Sequence, residues 1–434
     1  MAHQKKWPPK FTTTFMLKNS LLLIVTLFLF ANWRSGETTE NKTGMRGIER
    51  NRFSIKRAIH LKKYSLSDEL VNIRIFSQLK VQAFTISAEA GTYSIWANGI
   101  EITSTLKTPL IKLSYINDSV EVKTFETIIG RYKKIKFSSP DFIKSFRLKL
   151  ISPERKPRFY EDNLTVETEA GNLKLINEIV LDNYISGVVQ AESGKRSYQE
   201  FYKVQAILAR TFALSHLQKH GAEGFSLCDH THCQAYFGKT TELDIMKAVS
   251  ETKDKVVVDD NLNLIEAAFH SNSGGQTANS EDVWGSKLTY LRSVNDTFST
   301  KMPNAKWERK MAKEDWLSYL KLKHNYPIQD SNARWLAMNF KQDSRKPYLE
   351  VNNIRVALKN VRTDLQLKST FFTIIPQGDT LLFKGRGFGH GVGMCQEGAM
   401  RMAKIGYTYP EVINFYYQNI QLIDLHKLNF FKDE

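Results

Sequence analysis

Cysteine is scarce in this chain of 434 residues, where only Cys228, Cys233 and Cys395 occur. Three thiols are too few for the disulfide framework of a small secreted scaffold. Long hydrophobic runs are also rare, although hydrophobic residues make up 42% of the chain. This balance excludes a multi-span membrane protein and predicts a globular one with a sizeable core. The length predicts more than one subdomain.

Clusters of basic residues with interleaved aromatics are absent, although the formal net charge is +16. The positive charge is spread along the whole sequence, so no nucleic-acid footprint is predicted. A positive surface concentrates anionic partners such as acidic wall polymers or anionic lipid. The charge is most simply that of a generally basic exported protein.

The N-terminus carries the one long apolar run. Lysines from Lys5 to Lys18 precede Leu21–Trp33, and polar sequence resumes at Arg34. This order is typical of a secretory signal, and the run is shorter than the roughly 20 residues of a membrane span. No small-x-small cleavage site follows, so an uncleaved membrane anchor is the alternative. Export to the cell envelope is predicted in either case, as a secreted, periplasmic or membrane-anchored protein.

Hydrophobic periodicity changes along the chain and predicts a mixed α+β fold. Alternating runs such as Phe146-Arg-Leu-Lys-Leu predict a β-rich module. The interval Lys313–Leu322 reads as a helical insertion. The predicted segments are an export signal or anchor at 1–35, a polar linker at 36–68, a β-rich part at 69–174 and a core at 175–425 that carries the candidate site residues.

A helix is predicted between Ser197 and Lys219, because apolar residues recur there at helical spacing from Phe201 onward. Lys203 and Arg210 are seven residues apart, hence on one stripe of this helix and away from its apolar face. The spacing places them where they could line a site together.

A carboxylate precedes that helix. The run from Asp182 to Glu192 is largely apolar and ends on Glu192. Burial would raise the pKa of this carboxyl and suit it to proton donation, whereas nearby cations would lower the pKa. Taken alone, a glutamate near a helix start is more often a cap or a dipole partner.

Histidines and cysteines cluster after the helix. His220, Cys228, His232 and Cys233 offer two thiolates and two imidazoles, as a tetrahedral zinc site requires. His230 is the substitute ligand if His220 points elsewhere. A disulfide between the two cysteines, or plain surface histidines, are the competing interpretations.

Two glycine-containing motifs complete the set of candidate site residues. In the first, Gly274 and Gly275 follow His270 and Ser273, and Trp284 offers a flat face for a sugar ring. An ordinary loop with a core tryptophan is the alternative reading.

The second motif runs from Gly385 to Gly398 and contains His390 and Cys395. Its glycines follow neither the G-x-G-x-x-G nor the Walker A pattern, so nucleotide binding is not predicted. His390 and Cys395 would form a nucleophile pair only if the fold aims them at each other.

Together these segments resemble the stage II sporulation protein D / LytB domain family over about residues 69–425. The matching motifs occur in the family's order. They are Tyr184-Ile-Ser-Gly-Val-Val-Gln-Ala-Glu192, Lys203-Val-Gln-Ala-Ile-Leu-Ala-Arg-Thr-Phe-Ala213, Cys228 to Tyr236, His270-Ser-Asn-Ser-Gly-Gly275 with Val283-Trp-Gly285, and Gly387-Phe-Gly-His-Gly-Val-Gly-Met394.

The resemblance implies an α/β catalytic region with lytic transglycosylase activity on peptidoglycan glycan strands, and Glu192 as the essential acid and base. It also implies a zinc-type cluster in only some members. The family pattern makes Lys203, Arg210, His270 and Ser273 line the site, and we add Gly274, Gly275, Trp284 and His390 as substrate-binding candidates.

The family's LytB name suggests a non-enzymatic alternative, a glycan-binding protein that stimulates a partner amidase. The sequence departs from many members just after Glu192, where Ser193 and Gly194 replace the usual methionine and proline. That departure concerns the shape of the loop and not the carboxylate.

Overall fold

The computed structural model of the protein describes residues 70–195 and 197–430. The predicted export segment (1–35) and linker (36–68) lie outside the described residues. Among the helices of the described part, none is both long enough and apolar enough to cross a bilayer. The described chain is a mixed α+β fold, which confirms the predicted fold class.

The chain from Leu70 to Val180 is built from strands, because apolar and polar residues alternate there. Phe146, Leu148 and Leu150, for example, are buried on one face of their strand. The strands are β1 (Leu70–Ile75), β2 (Ala83–Ala90), β3 (Ser94–Ala97), β4 (Ile100–Ser104), β5 (Ile111–Ile116), β6 (Ser119–Lys123), β7 (Ile128–Tyr132), β8 (Lys134–Ser138), β9 (Ser145–Ser152), β10 (Arg158–Glu161), β11 (Asn163–Glu169) and β12 (Asn172–Val180).

These strands form two sheets around one core. The first sheet has the order β10-β9-β2-β5-β6-β7, and the second runs β13-β1-β12-β11-β8-β3-β4, where β13 is Leu227–Cys228. Phe84 and Leu113 of the first sheet and Val166 of the second are fully buried in the same apolar cluster. The second sheet thereby carries Cys228 at its edge, where β13 pairs with β1.

Three helices pack beyond the second sheet. They are α1 (Leu181–Ser193), which begins where β12 ends, α2 (Gln199–Ser215) and α3 (Leu243–Glu251). The predicted helix at 197–219 is α2, with Phe201, Val204 and Leu208 fully buried on one face. Strand β14 (Lys255–Asp259) follows α3.

Arg210 ties these three helices together from inside the fold. Its side chain is 1% exposed, and Nη2 lies 2.9 Å from Oδ1 of Asp182 in the first turn of α1. Nη1 donates to the carbonyl of Thr252 at 2.8 Å, just past the end of α3. Carbonyls at the end of a helix lack intrahelical partners and carry partial negative charge, so a guanidinium stabilises them.

A second, smaller core belongs to an insertion at residues 306–386. The chain enters the insertion along its first strand and leaves it along its last, and these two strands pair antiparallel. The cluster contains the buried Trp316, Leu320, Val356 and Phe383. The predicted helix at 313–322 lies within it. A short helix, α4 (Ser280–Trp284), precedes the insertion. The elements of the insertion are β16 (Lys306–Ala312), α5 (Lys313–His324), α6 (Ser331–Met338), β17 (Tyr348–Val351), β18 (Ile354–Ala357), α7 (Leu358–Asp364), β19 (Phe372–Gln377) and β20 (Thr380–Arg386).

The two glycine-containing motifs meet where the chain leaves the insertion. Strand β15 (Phe269–His270) pairs in parallel with β21 (Met394–Cys395). Gly393 has φ +70° and a side chain there would lie 2.1 Å from the carbonyl oxygen of Ala268, so only glycine permits this approach. The last elements of the described residues are α8 (Gln396–Lys404), α9 (Tyr409–Tyr416), β22 (Ile420–Asp424), which pairs with β14, and α10 (Leu425–Phe430).

Replacing Arg210 by methionine is expected to destabilise the whole fold. The change removes the cation that pairs with the Asp182 carboxylate and takes one donor from the carbonyls of Val249 and Thr252, and the loss of one partner of a buried ion pair costs about 3–5 kcal/mol. The free energy of unfolding from urea denaturation measures the effect. Lys247→Met is the control, since Lys247 is 64% exposed in its ion pair with Glu251 and should change stability little. Unchanged stability with weakened glycan binding would instead show that Arg210 contacts the substrate.

Candidate active site

Glu192 lies in the last turn of α1, and Gly194 with φ +71° caps the end of this helix. The carboxyl is partly buried, and Oε1 accepts the N–H of Ala235 at 3.0 Å. Burial raises the pKa of the Glu192 carboxyl above its ordinary value, while the Ala235 hydrogen bond acts in the opposite direction. The C-terminal end of a helix also disfavours negative charge. The group is therefore held nearer to protonation than an exposed glutamate.

A glycine on α1 lets the neighbouring loop come close to Glu192. A Cβ at Gly187 would lie 2.5 Å from the carbonyl oxygen of Gly238, so the helix and the loop 234–238 touch through backbone. On the same helix, Tyr184 donates its hydroxyl to Oε1 of Gln234 at 3.3 Å. These contacts fix the Ala235 N–H in front of the carboxylate.

Gln396, the first residue of α8, holds the other side of the α1 terminus. Its Nε2 lies 3.2 Å from the carbonyl oxygen of Glu192 and 3.4 Å from Oε1 of Gln205. Gln205 is fully buried on α2, and its own Nε2 has no partner among the described residues. The glycine-rich motif therefore reaches the Glu192 helix through an amide side chain.

Lys203 and Arg210 do not reach this carboxyl. Nζ of Lys203 binds Glu200 at 2.8 Å and Glu251 at 2.9 Å, and these hydrogen bonds raise the pKa of Lys203. Arg210 is buried against Asp182 and the α3 carbonyls. Lys203 and Arg210 do lie on one stripe of the helix, as predicted, but this stripe faces α3. Both side chains form ion pairs and hydrogen bonds within the protein.

His270, His390 and Trp284 come together from three elements. The ring centres of His270 and His390 are 5.5 Å apart, and those of Trp284 and His390 are 5.4 Å apart. Trp284 is 43% exposed, so its face is open to a ligand, and it is not the core tryptophan of the alternative reading. This cluster joins the Glu192 region through the β15–β21 pair, since Gln396 follows directly after β21.

Both histidines are neutral at pH 7. Burial lowers the pKa of His390 to about 4 and the pKa of His270 well below its ordinary value. Nδ1 of His270 lies 3.1 Å from the carbonyl oxygen of Val392, which makes Nδ1 the protonated nitrogen. Its Nε2 is a buried acceptor without a partner in the described chain.

Ser273 is fully buried, unlike a residue that touches substrate. Its Oγ binds Oδ2 of Asp296 at 2.8 Å and Oγ of Ser299 at 2.7 Å. Gly274 is buried and Gly275 is partly exposed, and both line a cavity of about 400 Å³ together with residues of the insertion. The two glycines can therefore still contact a ligand in this cavity, whereas the buried Ser273 supports the loop through its hydrogen bonds.

Cys395 and His390 are not aimed at each other. Sγ of Cys395 accepts the N–H of Gly398 at 3.3 Å as the cap of α8, and burial raises the pKa of this thiol well above its ordinary value. Nε2 of His390 lies 2.9 Å from the carbonyl oxygen of Phe269. A thiol without an adjacent base, and with a raised pKa, is a poor nucleophile.

A cluster that can hold a metal ion forms from the four preferred residues. The donor atoms of His220, Cys228, His232 and Cys233 all lie within 4.8 Å of one another. Both cysteines are free thiols, so the disulfide alternative is not formed. A hydrogen bond from Cys233 lowers the pKa of the Cys228 thiol to about 4. His230 is turned towards Thr231, with Nδ1 3.1 Å from its hydroxyl.

One carboxylate outside the cluster orients a donor within it. Oε1 of Glu223 lies 2.6 Å from Nδ1 of His220, which leaves Nε2 of His220 facing Sγ of Cys233 at 3.4 Å. A carboxylate behind a ligating imidazole fixes its tautomer and raises its basicity. Ala235, whose N–H binds Glu192, stands two residues after Cys233. The cluster is thus connected directly to the candidate catalytic carboxyl.

Sequence reasoning missed three contributions to this site. Gln396 stands inside the glycine-rich motif, and this position was the signal that could have revealed it. Ala235 contributes a backbone N–H, which no side-chain pattern marks. Arg345 of the insertion donates to the carbonyls of Ser273 at 2.6 Å and Gln276 at 2.5 Å, and the sequence carries no signal for it.

Comparison with known proteins separates the insertion from the rest of the chain. A family model described as "Stage II sporulation protein" matches residues 169–258, which contain Glu192 and the metal-type cluster. A model of a domain family of unknown function, DUF8618, matches residues 309–393, which contain most of the insertion and the first part of the glycine-rich motif.

Three relatives illustrate the similarity. Stage II sporulation protein D of Bacillus subtilis is 31% identical over 263 residues, which are 57% of this chain and 75% of the relative. An uncharacterized protein of Brachyspira hyodysenteriae is 28% identical over 59% of this chain and 70% of its own. A B. subtilis protein called amidase enhancer is 27% identical over 55% of this chain and 40% of its own.

Glu192→Gln is expected to raise stability at pH 7. Since the pKa of Glu192 is raised in the folded state, the folded protein binds this proton more tightly than the unfolded chain, so stability is lost as the pH rises through the folded pKa. Glutamine stays neutral and avoids that loss. Urea unfolding of both proteins at pH 7 and pH 4 measures the difference, which should shrink at the lower pH. A difference that is equal at both values would show that Glu192 has an ordinary pKa.

Proposed function

Since the chain belongs to the stage II sporulation protein D family, we propose that it is a lytic transglycosylase that cleaves the peptidoglycan glycan strand in the cell envelope. The observation that carries the proposal is the partly buried Glu192 carboxyl, whose pKa is raised by burial. A general acid must be protonated near neutral pH, and such tuning is typical of catalytic carboxyls.

In the proposed reaction, Glu192 first gives its proton to the glycosidic oxygen between N-acetylmuramic acid and N-acetylglucosamine, and the bond to C1 of muramic acid breaks. The resulting carboxylate then takes the proton of the muramic 6-hydroxyl, whose oxygen attacks C1 and closes a 1,6-anhydro ring. After the second step the Glu192 carboxyl is protonated again. Because an internal hydroxyl replaces water, one carboxyl serves both steps and the usual second carboxylate is not needed.

The Ala235 N–H stabilises the anionic form of Glu192 between these two steps. A single backbone donor at 3.0 Å offsets part of the cost of a buried carboxylate without displacing the proton permanently. Burial favours the acid and the hydrogen bond favours the base. The balance between them suits a group that must act in both forms.

The glycan strand would lie along the exposed face of Trp284 and the glycines at 274 and 275. An indole face packs well against the apolar side of a sugar ring. His390 beside the indole and His270 beside His390 carry no positive charge, since burial lowers their pKa values, and both ring nitrogens of His390 are already bonded to backbone atoms of Phe269 and Val392. Lys203, Arg210 and Ser273 act here as positioning residues that support the helices and the loop.

Zinc fits the cluster of two thiols and two imidazoles. Tetrahedral zinc with bonds of about 2.3 Å to sulfur and about 2.0 Å to nitrogen places sulfur and nitrogen about 3.5 Å apart. Nδ1 of His232 lies 3.8 Å from the sulfurs of both Cys228 and Cys233. Four protein ligands leave no position for water, so the metal would hold the loop that presents Ala235 to Glu192.

A non-enzymatic role is the second candidate, favoured by the similarity to the amidase enhancer of B. subtilis. In that role the chain binds glycan and stimulates a partner amidase, and the basic surface attracts the acidic wall. The two functions differ in their need for Glu192. Loss of the carboxyl abolishes cleavage but leaves stimulation of an amidase intact.

The decisive experiment incubates purified glycan strands with the full-length chain and analyses the products by mass spectrometry. Wild type is expected to release 1,6-anhydro-muramyl ends, and Glu192→Gln to lower the rate by about 10²- to 10⁴-fold, since a catalytic acid is lost. Glu200→Gln is the matched control, because Glu200 binds Lys203 on α2 and not the substrate. Reducing ends would indicate hydrolysis, and no product from any strand preparation would favour the amidase-enhancing role.

The metal assignment predicts about one zinc ion per purified chain. Cys228→Ser and His232→Ala are expected to lose the metal and to lower the melting temperature, because the loop is no longer held. His230→Ala keeps both, since His230 faces Thr231. Elemental analysis and thermal unfolding measure these effects. Loss of activity in Cys228→Ser with an unchanged melting temperature would contradict the structural role and point to a catalytic metal.

A further inference from the structure

The insertion carries its own cavity of about 690 Å³. The volume lies within the range of about 300–1,000 Å³ that small-molecule sites occupy. The cavity lies between α6 and the hairpin β17–β18, and none of the residues named above as site candidates lines it. Its walls combine aromatic and charged side chains, chiefly Trp335, Phe340, Lys341, Lys346, Tyr348 and Glu350.

Trp335 is the feature that needs an explanation. It is 58% exposed, more than any other tryptophan of the described residues. Its neighbours on α6, Ala333 and Ala337, are fully buried in the second core, so the helix is firmly seated and turns the indole outward. A large aromatic side chain left open beside a cavity is typical of a binding surface.

The charge of the cavity favours an anionic ligand. Lys341 and Lys346 are both exposed at its wall. The one carboxylate, Glu350, is compensated by Arg355, whose Nε lies 2.9 Å from Oε1. A flat aromatic face beside two uncompensated ammonium groups matches an amino sugar that bears a carboxylate.

The cavity also leads towards the candidate active site. Lys346 and the following Pro347 line a second, smaller depression that includes Val283 and Lys359. Nζ of Lys359 donates to the carbonyl oxygen of Val283 at 3.1 Å, and Trp284 is the next residue. The two depressions thus share Lys346 and Pro347, and the smaller one reaches the residue before Trp284.

We propose that the cavity of the insertion is a second glycan-binding site, in which a sugar ring stacks on Trp335 and a muramyl lactyl or stem-peptide carboxylate meets Lys341 and Lys346. The site binds the strand that the Trp284 region also holds, and it rests on the proposed function for the identity of the polymer. It lengthens the contact between protein and strand. Because none of its lining residues hydrogen-bonds Glu192 in the described chain, binding here and cleavage there are separable.

The test measures affinity in the full-length Glu192→Gln protein, so that no cleavage occurs. The probes are uncross-linked glycan strands with and without stem peptides, together with chito-oligosaccharide, which lacks carboxylates. Trp335→Ala is expected to weaken binding of all three probes about tenfold, as the loss of an anchoring aromatic does. Trp335→Phe should recover most of the affinity, because it keeps an aromatic face.

Trp96→Ala is the matched control. Trp96 is an exposed tryptophan on β3, outside the insertion, and its loss should leave binding unchanged. Equal affinities of Trp335→Ala and the control would overturn the proposal, and so would strands that fail to bind the parent protein. Failure of the cleavage assay alone leaves this result intact, because affinity is measured in a protein that lacks the catalytic carboxyl.

The lysines are tested with the double change Lys341→Gln and Lys346→Gln. It should weaken binding of the muramyl strands and spare chito-oligosaccharide. Retention of affinity after removal of the stem peptides would assign the carboxylate to the lactyl group, and its loss would assign it to the peptide. An equal effect on all probes, or on none, would overturn the carboxylate assignment.

Discussion

The site depends on one hydrogen bond, from the backbone of Ala235 to the carboxyl of Glu192. A carboxyl that is partly buried at the C-terminal end of a helix resists ionisation, both because it is desolvated and because the helix end is negative. The Ala235 N–H is the contact that favours the anion. Moving that donor away from the carboxyl would therefore favour the protonated acid.

The metal-type cluster matters to the site because it lies in the loop that carries the Ala235 N–H. The chain between Cys228 and Ala235 has little apolar surface to bury, so packing alone would hold it weakly. Its upstream end is fixed where Asp229 accepts the N–H of Phe76 at 2.6 Å, beside strand β1. A metal bound to the cluster would fix the middle, and the backbone contact between Gly187 and Gly238 fixes the downstream end. A loop clamped at three points can present one N–H reproducibly.

Much of the framework is readable from the sequence, since periodicity reports which residues share a face. The helix from Gln199 to Ser215 and the β-rich part were predicted in this way, whereas the four donors of the cluster were predicted from their residue types and close spacing. The helical stripe of Lys203 and Arg210 was predicted too, but spacing does not say whether a stripe meets solvent or another helix. Arg210 is buried because α3 supplies carbonyls to receive it, and that partner lies 39 residues or more along the chain.

The insertion is bound to the site loops by a cation that the sequence does not single out. Burial lowers the pKa of Arg345 to about 9, and its guanidinium donates to the carbonyls of Ser273 and Gln276, so it joins the insertion to the motif at 270–275. At its base, Gly385 leaves room for the ring of Trp307, which a Cβ would meet at 1.9 Å. A strand held by the insertion would be held in a fixed relation to the site loops, because Arg345 and this base leave little freedom between them. Affinity gained at Trp335 would then help to orient the glycosidic bond as well as to retain the strand.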